Sequence, residues 1–136
     1  NTLVRGISGD KNGVGFFGFA YYEENKDSLK LVPIINPRTG KPVQPSVETV
    51  KDGTYSPLSR PLLIYVSEAS AKKPHVKTFV DFFLENAAEQ SRTVGYIPLS
   101  DEAYKNVQKH FDDLDTGSVL IDLDLMGKPV ESLYAD

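Results

Sequence analysis

Residues 13–22, GVGFFGFAYY, contain seven apolar or aromatic side chains, three glycines and no charge. They sit in a chain of net charge −4 and mean hydropathy −0.30. Read as a strand, the segment puts Val14, Phe16, Gly18, Ala20 and Tyr22 on one face and Gly15, Phe17, Phe19 and Tyr21 on the other. Successive side chains of a strand point to opposite sides, so both faces here are apolar. Such a strand has to be covered twice, as in the middle of an α/β sheet, whereas a ribbon with one face in water alternates apolar with polar. Gly13, Gly15 and Gly18 mark places where the strand bends or another group approaches its backbone closely.

The neighbouring segments read as a mixed α/β order. Residues 8–13, SGDKNG, form a polar turn ahead of the apolar run. Residues 29–34, LKLVPI, predict a second short strand, with Pro33 confining it to a sheet edge. Asn36, Pro37 and Gly40 make a tight turn into Lys41, Pro42 and Val43, a predicted hairpin. Ser46 caps a short helix over 47–51 that Gly53 stops. A buried strand is predicted at 62–66. Pro74 opens the strongest helix, whose Val76, Phe79, Val80, Phe83 and Ala87 recur at steps of three and four, with Phe82 and Leu84 widening that face. Ser100 caps the next helix, with Asp101 and Glu102 in its first turn against the positive end of the helix dipole. Its predicted buried stripe is Ala103, Tyr104, Val107 and Phe111. An extended link at 96–99 joins the two helices, and the tail alternates loosely through Val119, Leu120 and Ile121.

A length of 136 residues fits one domain. The 15 basic against 19 acidic residues argue against a surface that tracks phosphates along a nucleic acid, because that needs clustered Lys and Arg. No apolar run is long enough to span a bilayer. The absence of cysteine excludes disulfides, cysteine metal sites and thiol nucleophiles, and it suits the cytosol and an exported location equally. A start at Asn1 with no methionine and no signal pattern reads as a processed or truncated chain, so a missing amino-terminal portion is expected.

Reaction chemistry is hard to find. His75 and His110 lie in no metal or triad spacing, and His110 suits the negative end of its helix. Asp112, Asp113 and Asp115 lack the ligand spacing of a calcium loop and read as a solvated turn. Ser59 with Arg60 reads equally as an anion pair or as a cap before the strand that follows. Tyr21 and Tyr22 read as core residues with hydroxyls free to reach a partner. The residue types of an anion cradle do occur at Ser8, Gly9 and Asp10. That loop, however, leads into a strand rather than a helix and matches neither a P-loop nor a dinucleotide fingerprint. Ser8, Gly9 and Asp10 are the candidate anion-binding residues, and no catalytic or metal-ligating residue is assigned.

The order of segments adds a resemblance. Gly-x-Gly-aromatic leading to Ala-Tyr-Tyr, then Gly-Lys-Pro-Val-x-Pro-Ser at 40–46, Tyr-x-Pro-Leu-Ser-Arg-Pro-Leu at 55–62 and Gly-Tyr-Ile-Pro-Leu-Ser at 95–100 follow one another at characteristic spacing. The chain, including its MGKPVESLYAD end, resembles the carboxy-terminal part of the phosphate-binding proteins that feed the phosphate ABC transporter of bacteria, in their cyanobacterial form. The resemblance implies a type II periplasmic-binding-protein fold, with residues 1–22 as the crossover segment of lobe two and 23–136 completing lobe one. It implies a role in capturing inorganic phosphate and delivering it to an ABC permease, exported to the periplasm or cell surface, with no cofactor, no nucleic acid and no enzymatic step. The Ser-Gly-Thr loop that grips the anion in this family does not occur here, so the principal ligands are expected in the missing amino-terminal portion. That portion, or a second copy of the chain, is the expected cover for the apolar strand. The competing readings are a fold-related phosphohydrolase and a self-pairing structural or regulatory half-domain.

Overall fold

A computed structural model describes residues 2–117. The alternation at 119–121 and the MGKPVESLYAD end lie outside the described residues. The chain is a mixed helix-and-sheet structure in which α1 (Thr2–Gly9) and α2 (Phe19–Glu23) precede a hairpin of β1 (Ile34–Ile35) and β2 (Pro42–Val43), followed by α3 (Val47–Lys51), α4 (Glu68–Ala71), α5 (Pro74–Thr93) and α6 (Asp101–Asp112).

The hairpin is built around one side chain. Asn36 is 3% exposed, and its Oδ1 accepts the backbone N–H groups of Arg38 at 2.9 Å and Thr39 at 3.2 Å. Its Nδ2 donates to the carbonyl of Thr54 at 2.8 Å, tying the turn to the segment beyond α3. The strands pair antiparallel, Ile34 with Val43 and Ile35 with Pro42. Among the described residues the remainder of the predicted strand at 29–34 has no ladder partner, in keeping with a proline that cannot donate to a ladder.

Local chemistry sets the helices. Ser46 accepts the Thr49 N–H at 3.1 Å while Thr49 Oγ1 accepts the Ser46 N–H at 2.9 Å, a reciprocal capping box. Gly53, at φ 76°, ends that helix. Pro74 opens α5 as expected. At its other end the Tyr96 N–H reaches the carbonyl of Ser91 and the Gly95 N–H that of Arg92, a Schellman closure with Gly95 at φ 78°. Gly95 is required twice over, because a Cβ there would lie 2.5 Å from Cβ of Ala20. The C-terminal turn of α5 and helix α2 therefore meet backbone to side chain. Ser100 caps α6 by accepting the Ala103 N–H at 3.2 Å.

Helix α5 packs against α4 and α6 through a narrower stripe than its periodicity promised. Val80, Leu84 and Ala87 are buried, whereas Phe79 and Phe82 are each 64% exposed. The apolar arc of this helix is wide enough for two aspects, and its neighbours cover one. On α6 the stripe holds in part, with Ala103 buried and Tyr104, Val107 and Phe111 half-buried.

Two predicted strands take a different form. Residues 13–18 run without helix, turn or bend and pass directly into α2, so Ala20, Tyr21 and Tyr22 are helical rather than extended. Residues 61–67 likewise carry no regular element. A strand exists only when a partner takes its backbone hydrogen bonds, and neither segment has one among the described residues.

Replacing Asn36 with alanine removes two acceptor contacts and one donor contact. We expect a loss of about 2 kcal/mol, read as a lower urea midpoint at unchanged slope; a change within about 0.5 kcal/mol, the range of ordinary surface substitutions, would show that the turn holds itself.

Candidate functional site

The anion candidates come together at the end of α1. Ser8 and Gly9 occupy its last turn and Asp10 follows directly. The Ser8 hydroxyl donates to the carbonyl of Arg5 at 3.2 Å, and Asp10 Oδ1 accepts the Asn12 N–H at 2.9 Å. The Asp10 and Gly13 amides turn back onto the carbonyls of Ile7 and Asp10. A helix carries negative character at its C-terminus, so this corner offers an anion carbonyl ends, a carboxylate and amides already engaged. Anion cradles are found at the opposite end of a helix.

Elsewhere the groups singled out from the sequence are occupied locally. Ser59 Oγ donates to the Tyr55 carbonyl at 2.6 Å, which separates its role from that of Arg60. His110 Nδ1 lies 3.4 Å from a carboxylate oxygen of Asp115 at the end of α6, the helix-terminal position read for it. Tyr21 and Tyr22 contact Phe17 and Phe19, respectively. Among the described residues no group of three or more His, Asp or Glu side chains converges on a metal position. Ser56 Oγ is the buried side-chain oxygen without a hydrogen-bond partner among the described residues.

Two open depressions are formed by the described residues. One, about 340 Å³, lies where α2 faces α3 and is lined by Phe19, Tyr22, Lys26, Leu31, Ser46 and Glu48. Its cation Lys26 bonds Glu23 at 2.8 Å. The other, about 350 Å³, opens beside α4, α5 and the end of α6 and includes Lys72, Lys77, Phe111, Asp112 and Leu114. Lys72 pairs with Glu68, and Lys77 lies between Asp81 and Asp112. The lysines of both hollows thus already hold carboxylates.

The Lys77 group is a polar cluster that helix-by-helix reading missed. Gln108 Nε2 donates to Asp81 at 2.9 Å and to Asp112 at 3.2 Å, and the Lys77 ammonium stands 5.5 Å from the Phe111 ring centre. Each pair at spacing four was visible in the sequence, but that the two helices face each other was not. The hydrogen bond to Asp112, with that to Asp81 second, raises the Lys77 pKa above its ordinary value. The bond from Lys77, then that from Gln108, holds the Asp112 carboxyl below the usual carboxylate value. This is a clamp between helices, exposed to water and open to salt screening.

With the geometry established, the relatives become informative. The profile of the PBP superfamily domain matches residues 7–87, from the end of α1 into the middle of α5. The chain belongs to the PBP superfamily, the periplasmic-binding-protein class of α/β fold. It is 50% identical over 133 residues to Protein SphX of Synechococcus elongatus, covering 98% of this chain and 39% of that protein. It is 46% identical over 118 residues to Protein SphX of a Synechocystis species, 86% of this chain and 34% of that one. To the phosphate-binding protein PstS of Staphylococcus haemolyticus it is 39% identical over 119 residues, 87% and 37% respectively. The chain thus spans between a third and two fifths of the length of the curated relatives it matches. No solved structure matches it.

Because the folded Asp112 pKa is lowered, its share of stability is complete above the ordinary carboxylate pKa and lost as pH falls through the depressed value. The raised Lys77 pKa gives a share that is complete below its ordinary value and lost as pH rises past the folded one. Replacing Asp112 with asparagine is therefore expected to lower the denaturation midpoint by a constant amount between about pH 5 and pH 10. The gap from wild type should shrink as pH falls below the ordinary carboxylate value and through the depressed one, and narrow in roughly 1 M salt. A gap unchanged in acid would show that the carboxylate charge is not what holds the helices.

Proposed function

We propose that this chain is part of a solute-binding protein that captures inorganic phosphate and hands it to an ABC permease, in an exported location at the periplasm or cell surface. The observation that carries the reading is the sustained identity to both Protein SphX and a phosphate-binding protein, together with membership of a binding-protein superfamily. No described helix is long and apolar enough to cross a membrane. We read residues 1–22 as a crossover into one lobe and 23–136 as the completion of the other.

In this reading the chain contributes scaffold and the grip on phosphate lies in polypeptide outside these 136 residues. The electrostatics at Ser8, Gly9 and Asp10 support that division, since a doubly charged anion would meet the negative end of α1 and the Asp10 carboxylate. Binding then proceeds by exchange of the anion's water for fixed amide and hydroxyl dipoles in a closing cleft, and closure about the hinge presents a changed surface to the permease. No bond in the anion is made or broken, so the function is binding rather than catalysis.

Calorimetric titration with inorganic phosphate tests this. The 136-residue chain alone should give no saturable heat up to about 1 mM, whereas the same residues grafted in place of the matching part of Protein SphX should saturate at micromolar phosphate or below. Micromolar binding by the chain alone, or none by a folded graft, would overturn the reading.

A further inference from the structure

The polar turn after α1 holds an asparagine unlike the others described. Asn12 is exposed and is followed by Gly13, whereas Asn25, Asn36, Asn86 and Asn106 are half-buried or buried and precede Lys26, Pro37, Ala87 and Val107. The carboxamides of Asn25, Asn86 and Asn36 donate to the carbonyls of Tyr21, Phe82 and Thr54, each at 2.8 Å. Asn106 lies within α6, where the backbone amides that follow it are committed to the helix. Among the described residues Asn12 bonds through its backbone alone, by an N–H to Asp10 Oδ1 at 2.9 Å. The nitrogen of Gly13 comes next in the chain, with no Cβ to obstruct its approach to the Asn12 side chain. Its N–H donates to the Asp10 carbonyl at 2.9 Å, a short-range bond within the turn. Downstream, residues 14–17 make no backbone hydrogen bond to any other described residue, so the turn opens locally without breaking a ladder.

We propose that Asn12 is a site of spontaneous modification, at which the Gly13 nitrogen attacks the side-chain carboxamide and asparagine becomes aspartate and isoaspartate. Hydroxide takes the Gly13 amide proton. The nitrogen then bonds to Asn12 Cγ, the Cγ–Nδ2 bond breaks, and Nδ2 leaves as ammonia after taking a proton from water. Water opens the resulting cyclic imide at one of two bonds. Cleavage between the Gly13 nitrogen and Cγ leaves aspartate, and cleavage between that nitrogen and the main-chain carbonyl carbon leaves isoaspartate, in which the backbone runs through the side chain. Water is consumed, ammonia is released, and nothing is oxidised or reduced. Both products place a new carboxylate beside Asp10 at the negative end of α1, where the helix dipole opposes it. Isoaspartate also lengthens the backbone by one carbon ahead of Gly15, at which a Cβ would lie 2.6 Å from Ile7 Cγ1. The close seat of Gly15 on α1 is thereby displaced. The proposal is independent of the phosphate reading.

Peptide mapping by mass spectrometry, on the 136-residue chain aged in water labelled with heavy oxygen, tests it. At mildly alkaline pH Asn12 should convert at least on the order of tenfold faster than Asn25, Asn36, Asn86 or Asn106, take up labelled oxygen, and yield isoaspartate along with aspartate. In mild acid, where hydroxide is scarce, conversion should slow. Gly13→Ala should slow it too, since a Cβ there meets the Asp10 carbonyl oxygen at 3.1 Å and crowds the attack. Should that variant disturb the turn, Asn12→Gln keeps the charge but demands a larger ring, and should abolish the conversion. Ageing in urea reads the sequence without the turn, and the folded rate should stay within about tenfold of the rate in urea. An Asn12 that keeps its amide when folded and loses it in urea would overturn the proposal, because the turn then guards the site. Aspartate formed with no isoaspartate would overturn it as well, because that marks direct hydrolysis of the amide.

Discussion

A backbone amide taken out of water has to find a partner, and an apolar side chain has to find cover. Among the described residues, the segments most in need of both, 13–18 and 61–67, have no backbone partner. The buried apolar side chains are small and few, Val4, Ala71, Val80, Leu84, Ala87 and Ala103, with no large side chain fully enclosed among the described residues.

What order there is comes from short-range devices. The Ser46 capping box, the Asn36 turn, the Schellman closure at Gly95 and the Ser100 cap each satisfy backbone groups within a few residues of themselves. Between elements, the contact of Ala20 with Gly95 and the Lys77 clamp join pieces without enclosing a core. Such devices hold the geometry of separate elements, whereas burial of a common apolar interior is the larger force in most domains. Stability that rests on caps and exposed ion pairs is sensitive to salt and modest in size.

The same division explains what was legible in the sequence. Ser46, Gly53, Pro74 and Ser100 were read in their structural roles because a cap depends on residues three or four positions away. The 36–40 turn was legible for the same reason. The strands expected over 13–22 and 62–66 were readable as compositions but not as structure, since a ladder depends on residues distant in the chain. Helix α1 was not anticipated: the reading stopped at the polar SGDKNG turn, while Val4 and Ile7 supply its inward side. Phe79 was expected to be buried because periodicity counts apolar positions and not the neighbours available to cover them. The candidate site suffered similarly, since Ser8, Gly9 and Asp10 have the composition of an anion loop while their position at a helix C-terminus reverses its polarity.

Membership of the PBP superfamily, the reversed polarity at the end of α1 and the segments at 13–18 and 61–67 left without a ladder partner among the described residues support the proposal that these residues carry scaffold whose interior other polypeptide completes. The heat-capacity change of unfolding measures that interior directly, because it scales with the surface exposed when the chain opens. A self-sufficient domain of this length would give about 1.6–2.0 kcal/mol/K. Scanning calorimetry of the monomeric 136-residue chain should return roughly half that value, and the full value would contradict the account.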